Sequence, residues 1–344
     1  MVLYNKSPSK EVLKDLKLSI IVPVYNVQAY LADCLNSIIY PGLADYEIVV
    51  VNDGSTDDSG RIAAEFAQKY PELITLINSE NGGLGAARNL GMSRAQGEYV
   101  QFLDSDDRLN ENAVPEMLEA IESGYDIYLF DFVCVNAEGE IIERMSGCSK
   151  EGALSLESCP ELLMQLPSGC NKICRRSLFT ETGISFPARV WYEDLRTMPK
   201  LYLHTDKIFA VKKPWYVYLL RQGSITNSAK LARNLEIIDA AEDLLGYYKD
   251  HGRYETYKAQ LDYIAFYNQF LTASVRVAAV DSNSPVIKQL RDSFLKSHPD
   301  YNENSYISSM PMKHRLLTFL FMHSLNGCAA FLMKLRARSK GRDF

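Results

Sequence analysis

The chain has 344 residues, 47% of them apolar and 23% charged, with a formal net charge of −6. That length favours two domains, or one with a large extension, and the composition is that of a soluble globular protein with a real core. The negative balance argues against general nucleic-acid binding, and seven cysteines without paired spacing, Cys170 and Cys174 included, argue for free thiols rather than a zinc site.

Residues 1–16 form a lead without the apolar segment of a signal peptide. The first apolar run, 18–25, is too short to span a bilayer, so a cytoplasmic location is expected. "LSIIVPVYN" (18–26) has the pattern of a buried strand, and helical spacing follows over 27–39. "YEIVVVND" (46–53) is a second strand, and a helix opens on Thr56 and Asp57, good capping residues. "LITLIN" (73–78), a Gly-rich helix start (82–95), "EYVQFLD" (98–104), a helix near 113–121 and "DIYLFDF" (126–132) continue the alternation. Such alternation predicts an α/β fold, doubly wound, with a mostly parallel sheet covered by helices on both faces.

Beyond residue 135 the alternation loosens. A hairpin over 132–144 and a Ser/Gly/Cys-rich stretch over 145–159 lead to "WYEDLRTMPKLYLH", then to a strand-like "KIFAVKKPWYVYLL" and "RQGSIT". From Leu231 the sequence turns helical and Tyr-rich, a C-terminal helical extension.

In open α/β sheets, ligands bind beyond the carboxyl ends of the strands. Here those ends carry Tyr25-Asn26, Asp53-Gly54-Ser55, Asn81-Gly82-Gly83 and Asp104-Ser105-Asp106. The crowding of Asp104, Asp106 and Asp107 is explained most simply by a divalent cation, Mg2+ or Mn2+, completed by substrate phosphates. No glycine-rich loop follows the first strand and no G-x-x-x-x-G-K-[ST] occurs, which excludes a dinucleotide fold and an NTPase loop. A nucleotide diphosphate spread along the strand ends remains. Tyr25 offers an aromatic face to a base, Asp53 an acceptor for a base N–H, Gly54 close approach, and Arg88 a fixed positive charge.

The four motifs "IIVPVYN", "IVVVNDGSTDDS", "NGGLGAARNLG" and "FLDSDD", in this order, resemble the inverting glycosyltransferases of family 2, which have the GT-A fold. The likeness is strong over 17–135. It extends more loosely through "NKICRRSLF", "WYEDL" and "RQGSIT", which are similar to the bacterial surface-polysaccharide branch. The resemblance implies a catalytic domain over 17–230, divided into a nucleotide-sugar half (17–135) and an acceptor half (136–230), followed by a helical region over 231–344. It also implies a UDP-sugar donor and a glycan acceptor, free or lipid-linked.

Carried over by position, Pro23, Tyr25 and Asp53 hold uridine, with Gly83 and Arg88 nearby. Asp104 and Ser105 lie by the ribose, Asp106 with Asp104 holds the metal, and Asp194 is the general base beside Glu193. The branch's Y-R-x-R pattern is reduced here to Tyr218-Leu219-Leu220-Arg221, which leaves Arg221 for the diphosphate. His204 is a weaker metal candidate than core residue, and Lys172 either faces the acceptor or lies on the surface. Two alternatives share the fold: a nucleotidyltransferase, which would release pyrophosphate, and a non-catalytic binding subunit, against which the retained acids speak.

From Pro311 onward there are seven Lys/Arg and one acid, Asp343, so this stretch is +6 and the remainder −12. Residues 316–335 are apolar with basic flanks. His323, Ser324, Asn326 and Gly327 interrupt its middle and point to a helical hairpin broken at Asn326-Gly327 rather than a membrane span. A basic, amphipathic element over 311–344 on an anionic bilayer is the preferred expectation, giving peripheral attachment at the inner face of the membrane. Packing on the catalytic domain or a homo-oligomer contact is the alternative.

Overall fold

In the computed structural model, which describes residues 16–221 and 231–339, the first apolar run is the central strand β1 (Leu18–Val24), buried along its whole length. It is followed by α1 (Leu31–Asn36), β2 (Tyr46–Asp53), α2 (Ser59–Lys69), β3 (Ile74–Ser79), α3 (Leu84–Arg94) and β4 (Tyr99–Phe102). β1 pairs in parallel with β2 on one side (Leu18 opposite Tyr46) and with β4 on the other (Leu18 opposite Tyr99). β3 extends the parallel set beyond β2. β1, β2 and β4 are buried at every position, as strands covered on both faces must be. α3 packs on β1 and β2, and α2 on β2 and β3.

The second half of the sheet is mixed. It contains β5 (Arg108–Leu109), α4 (Ala113–Ile121), β6 (Ile127–Val135), β7 (Ile141–Met145), β8 (Gly152–Leu154), β9 (Lys172–Arg175), α5 (Ser177–Thr182), α6 (Glu193–Leu201) and β10 (Ile208–Leu219). The strand order is β3-β2-β1-β4-β9-β6-β10-β5, with β7 on β6 and β8 on β10. β9, absent from the sequence-based expectation, runs antiparallel between β4 and β6 (Tyr99 opposite Arg175, Ile127 opposite Cys174). β10 lies parallel to β6 and shifts register on either side of Pro214, where a residue without an N–H sits most easily at a bulge. The hairpin predicted over 132–144 is formed by β6 and β7.

The helix predicted over 27–39 shortens to Leu31–Asn36. The backbone amides of Asn26, Val27 and Gln28 donate instead to Ser55 Oγ, Ser59 Oγ and Asp57 Oδ2, in the loop after β2 and at the start of α2, which holds the chain out of helical geometry.

The chain forms two units. The first takes the described residues up to Cys159 and Gln165–Arg221; the second takes Pro160–Met164 and the described residues after 230. The second comprises α7 (Glu236–Asp250), α8 (Lys258–Ala265), a π-helical stretch (Phe266–Thr272) running into α9 (Ala273–Val280), α10 (Pro285–Ser297), α11 (Ser305–Ser308), α12 (Met312–Met322) and α13 (Asn326–Ser339). Its core is aromatic: Phe294 stacks on Phe270 at 5.7 Å and meets Phe266 edge-on at 5.6 Å. Pro160–Met164 joins this unit through Tyr306, whose hydroxyl donates to Glu161 Oε1 at 2.9 Å and accepts from Gln260 Nε2.

The tail hairpin breaks one turn earlier than expected. α12 ends at Met322, Ser324 takes a left-handed conformation (φ 58), and Asn326 and Gly327 open α13 instead of forming the turn. Arg291 donates to both Met322 O and Ser324 Oγ, which pins the chain at that point. Among the described residues no helix is long and apolar enough to cross a membrane. Residues 1–15, the part of "RQGSIT" after Arg221, and Lys340 and Arg342 of the basic tail lie outside the described residues.

Candidate functional site

The parallel strands β1, β2, β3 and β4 end at one edge, and the polar residues that follow the first three are bound to one another. After β1, Asn26 is left-handed (φ 52), and its Oδ1 accepts from Thr56 N at 2.8 Å. After β2, Asp53 is buried, and its two oxygens accept from Gly82 N at 2.7 Å and Gly83 N at 2.9 Å. Asp53 thus fixes the turn that opens α3, and each oxygen keeps a second lone pair for a ligand. Gly54 (φ +69) permits close approach, but of Asn81: a Cβ at Gly54 would stand 2.8 Å from Asn81 N. Gly83 (φ +85) precedes α3 in a conformation that other residues avoid, 3.3 Å from Arg189 N by the same measure. Pro23 is buried within β1, whereas Tyr25 is 49% exposed.

The three acids of "FLDSDD" separate into three roles. Asp104 Oδ1 pairs with Arg88 Nη2 at 3.0 Å. Asp106 Oδ2 pairs with Arg221 at 2.8 Å through Nε and 2.7 Å through Nη2, and the Arg221 guanidinium lies over the Tyr30 ring. Asp107 is buried beside them, accepting from the Tyr216 hydroxyl at 2.5 Å and from Leu219 N at 2.8 Å, which ties the turn to β10. Ser105 is buried within the same turn. Burial, then the charge of Asp104, pushes the Asp106 carboxyl above its ordinary range against the pull of Arg221. A cleft of about 310 Å3 lies against this pair, walled also by Tyr30, Asp33, Arg108 and Asn136.

Arg88 is the centre of the arrangement. It projects from α3, is 1% exposed, and donates from Nη1 to Asp194 Oδ1 at 2.6 Å and Glu193 Oε1 at 3.0 Å while Nη2 holds Asp104. Its guanidinium lies over the rings of Phe102 and Phe186, 5.8 and 5.3 Å from their centroids. Burial opposes its charge, but Asp194, Asp104 and Glu193 more than reverse this and hold the proton more firmly than usual. One buried cation therefore joins the end of β4 to the start of α6.

Two left-handed non-glycine residues, Arg189 (φ 59) and Tyr192 (φ 64), shape the turn that delivers Glu193 and Asp194 to the first turn of α6. Asp194 also accepts from Gly169 N at 3.2 Å. A helix start favours an ionised carboxylate, yet burial leads and leaves the Asp194 carboxyl above its ordinary range despite Arg88. Glu193 is pushed up to about 7 by burial and then by the Asp194 charge, with Arg88 pulling the other way.

Asp104 and Asp106 are hard oxygen donors of the kind that suits Mg2+ or Mn2+, and each is paired with an arginine that an ion would displace or share, Arg88 with Asp104 and Arg221 with Asp106. Among the described residues no three His, Cys, Asp or Glu side chains could hold a metal by themselves. Such an ion would need phosphate oxygens and water to complete its shell.

Two candidates are displaced. Lys172 neither faces an acceptor nor lies on the surface. It is buried in β9, with Nζ donating to Ser168 O at 2.6 Å, Asn171 Oδ1 at 2.7 Å and Leu166 O at 3.0 Å, and burial lowers its pKa to about 8. His204 is exposed after α6 rather than packed in the core. All seven cysteines are free, and Cys170 Sγ lies 3.8 Å from Arg88 Nη2. The partners sequence reasoning missed are Phe186, Gly169 and Tyr216. Nothing local in their sequence marks them, because each reaches the site from a distant segment.

The sequence model of the Glycosyl transferase family 2 matches residues 19–183. Glycosyltransferase GlyA of Streptococcus pneumoniae serotype 4 is 37% identical over 62% of the chain, which spans only 32% of that relative's length. Glycosyltransferase GlyG of the same organism is 31% identical over 60% of the chain and 72% of its own length. The fold is similar to that of residues 1–349 of Staphylococcus aureus TarS, a poly(ribitol-phosphate) beta-N-acetylglucosaminyltransferase crystallised with UDP-GlcNAc. The TM-score is 0.65 at 23% identity, covering 96% of this chain and 93% of that one.

Proposed function

The chain belongs to glycosyltransferase family 2, and from that premise we propose that it transfers a sugar from a UDP-sugar to a hydroxyl of a growing cell-surface glycan, with inversion at the anomeric carbon. The observation that carries this reading is the Arg88 bridge, which holds Asp104 of the donor turn and Asp194 of α6 to one guanidinium. Direct displacement needs a base on one side of the anomeric carbon and charge stabilisation on the other.

In this reading Tyr25 stacks on the uracil, Asp53 accepts its N–H through a remaining lone pair, and Pro23 and Gly83 line the same recess. Asp104 and Ser105 border the ribose. Arg221 exchanges Asp106 for the donor's diphosphate. Asp104 and Asp106 would hold Mn2+ or Mg2+, which when bound neutralises the departing diphosphate as a Lewis acid. Asp194 takes the proton of the incoming hydroxyl. Arg88 and Gly169 N keep its carboxylate oriented, and Arg88 favours its charged form. The acceptor class follows relatives such as TarS, named for poly(ribitol-phosphate).

The test is Asp194→Asn. Loss of the base should lower kcat by about 10²- to 10⁴-fold, while calorimetry finds UDP-sugar affinity within a few-fold of the parent. Transfer at near-parental rate would remove Asp194 from the mechanism.

A further inference from the structure

The hairpin α12–α13 has the wrong surface for a helix pair that ends at water. A helix on the outside of a protein normally presents a polar face, and one that is apolar all round is normally buried all round. α12 packs inward through Thr318, Leu320 and Phe321, yet its outer side carries Met312 (76% exposed), Leu316 and Phe319 (55%). Their spacing of four and then three residues makes a continuous stripe. α13 repeats the pattern: Ala329 and Ala330 are buried, while Phe331 (61% exposed), Leu332 and Leu335 face out. The tail is therefore not amphipathic in the expected sense, since both faces are apolar and only one is covered.

The charges around these stripes are of one sign. From Asn304 to Arg342 there is no Asp or Glu. Lys313, Arg315 and Lys334 are exposed, and none of them makes an ion pair among the described residues. Lys313 and Arg315 stand in the first turn of α12, where the helix dipole disfavours cations. An external anion would relieve both deficits.

We propose that α12–α13 lies flat on an anionic bilayer, with Phe319 and Phe331 at the acyl-chain boundary and Lys313, Arg315 and Lys334 among the headgroup phosphates. At 11 and 14 residues the helices are about 16 and 21 Å long, short of the ~30 Å hydrocarbon core, so they rest on the membrane without crossing it. A second copy of the chain is the poorer occupant. Pairing two such hairpins would bring their basic residues together with no acid from that segment to offset them. This partner is additional to the transfer reaction proposed above and does not depend on it.

The test uses the full chain with vesicles of phosphatidylcholine alone or mixed with phosphatidylglycerol. Cys328, exposed on α13 while the other six cysteines are buried, takes an environment-sensitive fluorophore. The expected result is flotation with the anionic vesicles only, lost at high salt, with a blue-shifted label. Lys313→Ala with Arg315→Ala should weaken partitioning at least tenfold, at about fivefold per cation. Phe319→Ser with Phe331→Ser should abolish it. Far-UV circular dichroism and a cooperative thermal melt should be unchanged in both variants, which shows that they fold and keeps this result separate from any failure of the transfer assay. Absence of flotation at low salt, or flotation that survives both variants, overturns the proposal. So does a concentration-dependent dimer, indifferent to vesicles, that Phe319→Ser with Phe331→Ser dissolves.

Discussion

At the scale of single residues, the site is a problem in placing like charges. Asp104, Glu193 and Asp194 converge on one guanidinium, which cannot fully satisfy three carboxylates out of water. The surplus falls on Glu193, whose carboxyl rises to about 7. Because its pKa is raised, the Glu193–Asp194 pair retains one proton below that pH and loses it above, which leaves Asp194 the stronger base on the alkaline side. The kcat/KM profile should therefore climb through a step near pH 7. In Glu193→Gln that step should vanish, leaving only the lower-pH limb of Asp194. A variant that keeps the step would detach it from Glu193. Asp104, Asp106 and Asp107 were legible in the sequence because they stand directly after an apolar strand, whereas Glu193 and Asp194, at the start of α6, came only from the resemblance. Their division of labour was not, since Asp107 and Asp106 differ only in which distant side chain, Tyr216 or Arg221, receives them.

At the scale of elements, the parallel half of the sheet could be read from apolar runs of β-branched residues ending in turn residues. β9 could not. It is four residues long, begins with a lysine and gains its strand character only between β4 and β6. Burial of Lys172 is possible because three oxygens of the segment just before it receive its ammonium group, and two of these are backbone carbonyls, which residue types do not reveal.

In the helical unit, α8 depends on a comparable polar knot. Asp262 accepts from Tyr254 at 2.7 Å and from Lys258 at 2.5 Å, and His298 Nε2 lies 3.5 Å away. Burial works against its charge, but these hydrogen bonds prevail and lower its pKa to about 2. A depressed carboxyl stabilises the fold above its unfolded pKa, and that contribution fades as the pH falls toward 2. Asp262→Asn should cost about 2 kcal/mol in urea unfolding at pH 7, with the gap to the parent narrowing steadily as pH is lowered. A constant gap across pH would assign the loss to packing.

At the scale of the whole molecule, charge is segregated. The segment from Pro311 is +6 and the rest of the chain −12, yet the proposed UDP-sugar donor is itself an anion. Arg221 and Arg88 are already paired with carboxylates, so a diphosphate needs further positive charge at the strand ends. UDP with Mn2+ should raise the melting temperature by several degrees, since saturation to a hundred times Kd stabilises by about 2.7 kcal/mol. UDP with EDTA should do far less. Equal shifts in the two conditions would remove the ion from Asp104 and Asp106.

The guanidinium shared by Asp104 and Asp194 also bears on how such a site diverges. Altering either acid redistributes a common counter-charge, so substitutions on the donor side should be epistatic with those on the acceptor side. On the proposed roles, a lineage acquiring a new sugar preference through the turn after β4 would retune proton removal at the same time, and compensating changes should collect around α3.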